Sequence, residues 1–351
     1  MKYLILVVFT LIILVGNAYQ GYGQTTDSWY YFTSIAFSPD GKQLAAGTLV
    51  GIVKIWDTDS WQDVKTLPKI SKEIHDISLL NYSPDGKFLI ASANETHIIV
   101  WDTKLWKKQL YFRAHKKISL INVSPDSRYI ITADREEEHV LKAWDLITGK
   151  ELWKIDELYV KSMSISSDGT YLAVLGWGHS FIDLYDMKSL QKIKNTSEMT
   201  NTIKPQYGTY LGDFYYVVFI PNSHTLLIAY TDGIMVVNLD EGMSKILAYY
   251  NYYDGRTGGT DYLIASPDGK FCAFGLGWNG KENISVAVYN NMDQKMELGL
   301  AGDSIITSAA FSPDSKFVAA AGHNTCQIQL WDMATGKLII TLGKLCKRTG
   351  K

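Results

Sequence analysis

Cysteine is scarce in this chain, with three in 351 residues. Three thiols cannot build a disulfide framework, so the fold must rest on a hydrophobic core. Proline is scarce too, with eight, and an excess of either charge is missing: 34 Lys and Arg against 36 Asp and Glu leave a formal net charge of −2. Without a basic field, a nucleic-acid partner is not expected. No segment keeps a long helical apolar period, which argues against a helical bundle. The catalytic signatures G-x-S-x-G, the P-loop and the H-E-x-x-H zinc motif are absent. Glycine-containing stretches lie between strand-like segments, so none opens a helix that could hold a phosphate.

One long hydrophobic run exists. Leu4 to Val15 follows Lys2 and precedes Gly16-Asn17-Ala18, the order of a cleaved signal peptide. The run is shorter than the ~20 residues that span a bilayer, so stable membrane insertion is not expected. Residues 1–23 are read as the signal, with cleavage after Ala18 or Gly23, and the mature chain as secreted or periplasmic. No cysteine follows the run, which argues against a lipid anchor there. Export permits disulfides. Cys272, in Phe271-Cys272-Ala273-Phe274, reads as a buried thiol; Cys326 and Cys346 flank the last hairpin and could pair.

What the chain does have is repetition. Ser38-Pro39-Asp40-Gly41 recurs as Ser83-Pro84-Asp85-Gly86, Ser124-Pro125-Asp126-Ser127, Ser166-Ser167-Asp168-Gly169, Ile220-Pro221-Asn222-Ser223, Ser266-Pro267-Asp268-Gly269 and Ser312-Pro313-Asp314-Ser315. Proline presets φ and the Asp/Asn-Gly pair tolerates a left-handed step, so each is a tight turn. A second mark follows each turn: Trp56-Asp57, Trp101-Asp102, Trp144-Asp145, Tyr185-Asp186, Val237-Asn238, Tyr289-Asn290 and Trp331-Asp332. The segments between are short, apolar and often alternating. Four strands, A to D, fit each unit. The expected fold is all-β, a seven-bladed propeller of four-stranded antiparallel blades over residues 24–343. The blades fall near 31–67, 76–112, 117–155, 159–194, 213–249, 260–300 and 304–342, with 344–351 a basic tail.

Strand, S-P-D-G turn, small-residue strand and strand ending in W-D resembles the WD-repeat family, over roughly Tyr31 to Leu342. The resemblance implies that the large residue of W-D packs between neighbouring blades. Trp56, Trp101, Trp144 and Trp331 match that role, Tyr185 and Tyr289 are aromatic substitutes, and Val237 departs from it. It also implies a histidine before strand A and an aspartate in the B–C turn. His75 and His115 sit near the first position. Val50, Glu95 and Asn324 occupy the second, and only Asp232 fits. The internal polar network is therefore expected to be incomplete. On this register each blade uses its own four strands, so ring closure is expected to rest on side-chain packing alone.

Propeller geometry sorts the remaining residues. The regular A–B and C–D turns lie on one face, called the bottom. The irregular D–A and B–C loops lie on the top. The top takes Trp177, Trp278, Tyr207, Tyr210, Tyr252, Tyr253, Asp254 and Arg256, residue types typical of binding hot spots. Trp61, Trp106 and Trp153 are assigned to strands D. His97, His139, His179 and His323 also map to the top, spaced on different blades, which disfavours a metal site. Asp134 to Glu138 reads as a solvated turn. N-glycosylation sequons stand at Asn94, Asn122, Asn195 and Asn283. The favoured function is a monomeric, non-enzymatic scaffold that binds a protein through the top loops, with no cofactor. The alternatives are a quinone- or metal-dependent propeller enzyme with its site near the top of the axis, and a structural part of a cell-surface assembly contacting through a flat face or the tail residues Lys344, Lys347, Arg348 and Lys351.

Overall fold

The computed structural model describes residues 31–134, 136–177, 181–189, 191–200, 213–231, 233–249, 262–275, 284–291, 295–301, 306–322 and 326–343. These form seven antiparallel four-stranded sheets, each built from consecutive strands. The blades span Phe32–Leu67, Ile77–Arg113, Leu120–Ile155, Val160–Asn195, Phe214–Tyr249, Leu263–Ala301 and Ile306–Gly343. The four-residue stretch Ser197–Thr200 is the only helix among the described residues. The fold is the all-β seven-bladed propeller that the repeats predict.

Turn chemistry sets the blade edges. In the A–B turns the serine hydroxyl bonds the aspartate two residues on, at 2.6 Å for both Ser38–Asp40 and Ser312–Asp314. Every A–B turn holds one left-handed residue: it is the fourth in six blades, as Gly41, Gly86, Gly169, Gly269, Ser127 (φ 58°) and Ser315 (59°), and the third in blade 5, Asn222 (58°). A non-glycine there costs roughly 1–2 kcal/mol. Ser127 and Ser315 offset much of it, because their hydroxyls accept the backbone N–H of Asp85 and Asp268 in the preceding blade, at 3.0 and 3.1 Å. The aspartate that closes strand C is the C–D turn's acceptor: Asp57, Asp145 and Asp332 take the N–H of Ser60, Thr148 and Thr335. Two residues expected in strands D lie elsewhere. Trp61 (φ 55°) and Trp106 (53°) hold the left-handed position of their C–D turns, where other blades have Gly149, Gly242 and Gly336. Trp153 is in strand D of blade 3, Glu151–Ile155.

The core is not one mass but seven apolar clusters, one per seam between blades. Trp56 packs into the seam of blades 7 and 1, Trp101 into 1 and 2, Trp144 into 2 and 3, and Tyr185 into 3 and 4. Val237, Tyr289 and Trp331 fill the next three. Every one of these side chains is buried. The B strands, such as Gln43–Thr48 and Phe317–Gly322, are covered on both faces and carry small residues where the neighbouring blade approaches.

The innermost strands add a hydrogen-bonded girdle. In blades 1, 2, 4, 5 and 7 strand A carries a β-bulge at its second residue: Thr33, Ser78, Lys161, Tyr215 and Thr307. A bulge re-aims its side chain, here toward the next blade. Thr33 donates to the Ile77 carbonyl, Lys161 to Phe214 at 2.5 Å and Thr307 to Phe32 at 3.3 Å. The next residue is serine in the same three blades. Ser34, Ser162 and Ser308 accept the N–H of Leu80, Val217 and Ile35, each at 3.1 Å. The expectation that the ring closes by packing alone is therefore corrected. The seam of blades 7 and 1 carries the same two hydrogen bonds as interior seams.

Candidate functional site on the top face

The bulge in blade 4 places Lys161 at the top rim. Its ammonium lies 4.2 Å from the centre of the Tyr215 ring and 5.3 Å from that of Trp177, both within cation–π range. Tyr215 is the bulge residue of blade 5, so the contact spans a seam. Trp177 follows strand B of blade 4, Tyr171–Gly176. Its N–H donates to the Tyr159 carbonyl at 3.0 Å, which fixes the backbone, while its side chain is 47% exposed. Tyr159 is 51% exposed and stacks on His139 at 3.9 Å. Two rings, Trp177 and Tyr215, therefore flank the cation, and the Tyr159–His139 stack is tied to them through the Trp177–Tyr159 backbone bond, which makes an aromatic shelf from blade 3 to blade 5.

Of the candidate contact residues, Trp177 is the one described, and it is exposed as expected. Trp278, Tyr207, Tyr210, Tyr252, Tyr253, Asp254 and Arg256 lie outside the described residues. Lys161, Tyr159 and Tyr215 were missed by reading loops alone. The signal was present in the register, since Lys161 and Tyr215 hold equivalent strand-A positions in adjacent blades. Among the histidines, His97 stacks on Tyr111 at 4.8 Å and His139 on Tyr159, and these two do not converge. His179 and His323 lie outside the described residues.

Blade 3 corrects two expectations. Asp134 is fully buried and accepts the N–H groups of Lys117, Glu136 and Glu137 at 2.9–3.0 Å, so the acidic run is not simply solvated. Glu138 faces His115 Nδ1 at 3.0 Å, while His115 Nε2 meets the Thr132 hydroxyl at 2.7 Å and Trp144 Nε1 donates to that hydroxyl at 2.8 Å. The polar network expected to be incomplete is continuous in this blade, with Glu138 as its carboxylate. Asp232 lies outside the described residues, and His75 is exposed. Burial pulls the His115 pKa down, against the Glu138 hydrogen bond that raises it. The ring is then neutral, with its proton on Nδ1 toward the carboxylate, and the Thr132 hydroxyl donates to Nε2. His115, Asp134 and Glu138 are close enough to hold a cation. Their atoms are already used, however, and Lys142 lies 3.3 Å from Glu138. The network is a fastening for the fold.

The sequons are likewise spoken for. Asn94 donates to Glu73 and accepts from His75, Asn122 donates to Met163, and Asn195 accepts from Ser197. Position 283 lies outside the described residues.

Seven four-stranded blades, with an indole or phenol wedged into most seams, decide the class. A family model described as WD domain, G-beta repeat matches residues 22–57, 61–102 and 296–332. The chain is a seven-bladed propeller that carries WD40 repeats. Each match ends on the aspartate of a Trp-Asp pair, at Asp57, Asp102 and Asp332, so the matched stretches take in strands A to C of blades 1, 2 and 7. No curated protein matches the chain.

Proposed function

We propose that this chain is an exported WD40 propeller that binds a partner protein through its top face, at the shelf built by Trp177, Lys161, Tyr215 and Tyr159. WD40 propellers typically bind proteins, and among the described residues no helix is long and apolar enough to cross a membrane. The observation that carries the reading is a surplus at one seam. In blades 1 and 7 a threonine hydroxyl makes the bulge-to-carbonyl bond. In blade 4 an ammonium makes it and also sets a positive charge between two rings, one of them the exposed indole of Trp177, which the seam does not need. Rigid aromatic area next to a fixed cation is what a hot spot requires. Trp278, Tyr207, Tyr210, Tyr252, Tyr253, Asp254 and Arg256 join the proposal on sequence grounds, and export rests on the N-terminal signal pattern.

The test compares capture of a partner from the native envelope fraction by the wild type, Trp177→Ala and Lys161→Thr. The threonine variant keeps a seam hydroxyl, as at Thr33 and Thr307, while removing the charge. Both variants should lose about tenfold or more in capture with an unchanged Tm. A Tm that falls along with capture would make Trp177 core, and undiminished capture would move the interface elsewhere. Either result overturns the proposal.

A further inference from the structure

On the opposite face, the seam of blades 7 and 1 opens into a cleft of about 400 Å³, large enough for a side chain and part of its backbone. Its walls are apolar: Phe37 and Trp61 from blade 1, Pro313 and Phe317 from blade 7. Its rim carries three carboxylates, Asp40, Asp59 and Asp314. Two of these are built into turns. Asp40 and Asp314 each take a serine hydroxyl at 2.6 Å and a backbone N–H at 3.1 Å on Oδ1, so their orientation is set before anything binds. Lys316 lies 3.5 Å from Asp314, and Lys42 neighbours Asp40 in sequence. The carboxylate of Asp59, exposed on the C–D turn, makes no hydrogen bond or ion pair among the described residues.

Blade 2 supplies an internal comparison. Its C–D turn repeats the left-handed tryptophan, Trp106 for Trp61, and Trp106 packs on the seam of blades 1 and 2 as Trp61 does on that of 7 and 1. The residue two places earlier differs in sign: Lys104 in blade 2, Asp59 in blade 1. An indole wall beside a free carboxylate therefore occurs at the closing seam and is reversed in charge at the next. A planar cation can stack on such a wall while its N–H groups reach the carboxylates.

We infer that this bottom-face cleft receives an arginine side chain presented by a partner peptide, with the guanidinium against Trp61 and paired to Asp59. The fixed Asp40 and Asp314 lower the cost of ordering the site. The inference does not depend on the top-face reading.

It can be tested on the full chain by fluorine NMR after 5-fluorotryptophan labelling, with the Trp61 signal assigned through Trp61→Phe. The probe is acetyl-Gly-Arg-Gly-amide, and its neutral control carries citrulline in place of arginine. The Trp61 signal should shift saturably with the arginine peptide. Citrulline should weaken binding by about tenfold. Asp59→Lys should abolish the response without changing the Tm, and Trp177→Ala should leave it intact. A shift that never saturates, equal responses to the two peptides, wild-type binding by Asp59→Lys, or loss of binding in Trp177→Ala would each overturn the assignment.

Discussion

His115 shows how one buried residue distributes polarity through blade 3. The residue is 2% exposed and both ring nitrogens are occupied, so Thr132 is the hinge of the network: it donates to His115 and accepts from Trp144. Thr132→Val keeps the shape but strands both partners, and should cost roughly 2–4 kcal/mol by urea denaturation. Thr132→Ser should be near neutral. Two histidines give opposite pH trends. Burial depresses the His115 pKa, so its contribution is present above the unfolded value near 6.5 and is lost as pH falls through the lower folded value. His224, on the bottom face, bonds Asp168 of blade 4 and Asp240 of its own blade at 3.0 and 2.9 Å. These bonds raise its pKa, so its contribution is present below about 6.5 and lost as pH rises through the higher folded value. Burial works to raise Asp168, but the Ser166, Thr170 and His224 hydrogen bonds outweigh it and hold it well below the usual range. Tm measured across pH 5 to 9 should therefore fall less steeply on the alkaline side in His224→Gln than in the wild type. An unchanged alkaline limb would remove His224 from the account.

At the scale of the strand, the girdle explains why seams of different composition share one geometry. The bulge directs one side chain and the following serine receives one N–H, at seams 1–2, 4–5 and 7–1. Among these, the closing seam pairs two blades that do not follow one another along the chain. Ser308→Ala should cost about 1 kcal/mol and raise amide exchange in Phe32–Phe37 and Ile306–Phe311 above that in the other strands A. Ser34→Ala, at a seam bridged by a loop, should cost a similar amount with no such local exchange. Equal exchange in the two variants would show that closure is no weaker than an interior seam.

For the whole molecule, seven seam cores replace a single centre, and cross-links are a minor addition. Cys272 is free and fully buried, with burial pushing its thiol up to about 12. Cys326 is disulfide-bonded, and position 346 lies outside the described residues. A thiol titration should find no reactive group in the native protein and one after unfolding without reductant. Two or three thiols in the unfolded, unreduced protein would contradict the disulfide.

The recurrent turn, the Trp-Asp mark and their common phase made the blade count legible from the sequence, because tight turns and strand ends are local chemistry with few solutions. Val237 fits its seam as the tryptophans do, since a seam asks for buried apolar volume and tolerates a change of shape. The Asp134–Glu138 run misled for the opposite reason. Glu136 and Glu137 are exposed as a solvated turn would be, but Asp134 is buried under the N–H groups of Lys117, Glu136 and Glu137 and Glu138 meets His115. Trp61 and Trp106 were misplaced because a left-handed backbone is invisible in a residue name. Above all, Lys161, Tyr215 and Trp177 stand far apart along the chain and belong to two blades. The sequence by itself determined the architecture, which repeats within each blade. Only the tertiary structure decided which side chains meet across a seam, because those contacts depend on the ring and on bulges that turn side chains toward the neighbouring blade.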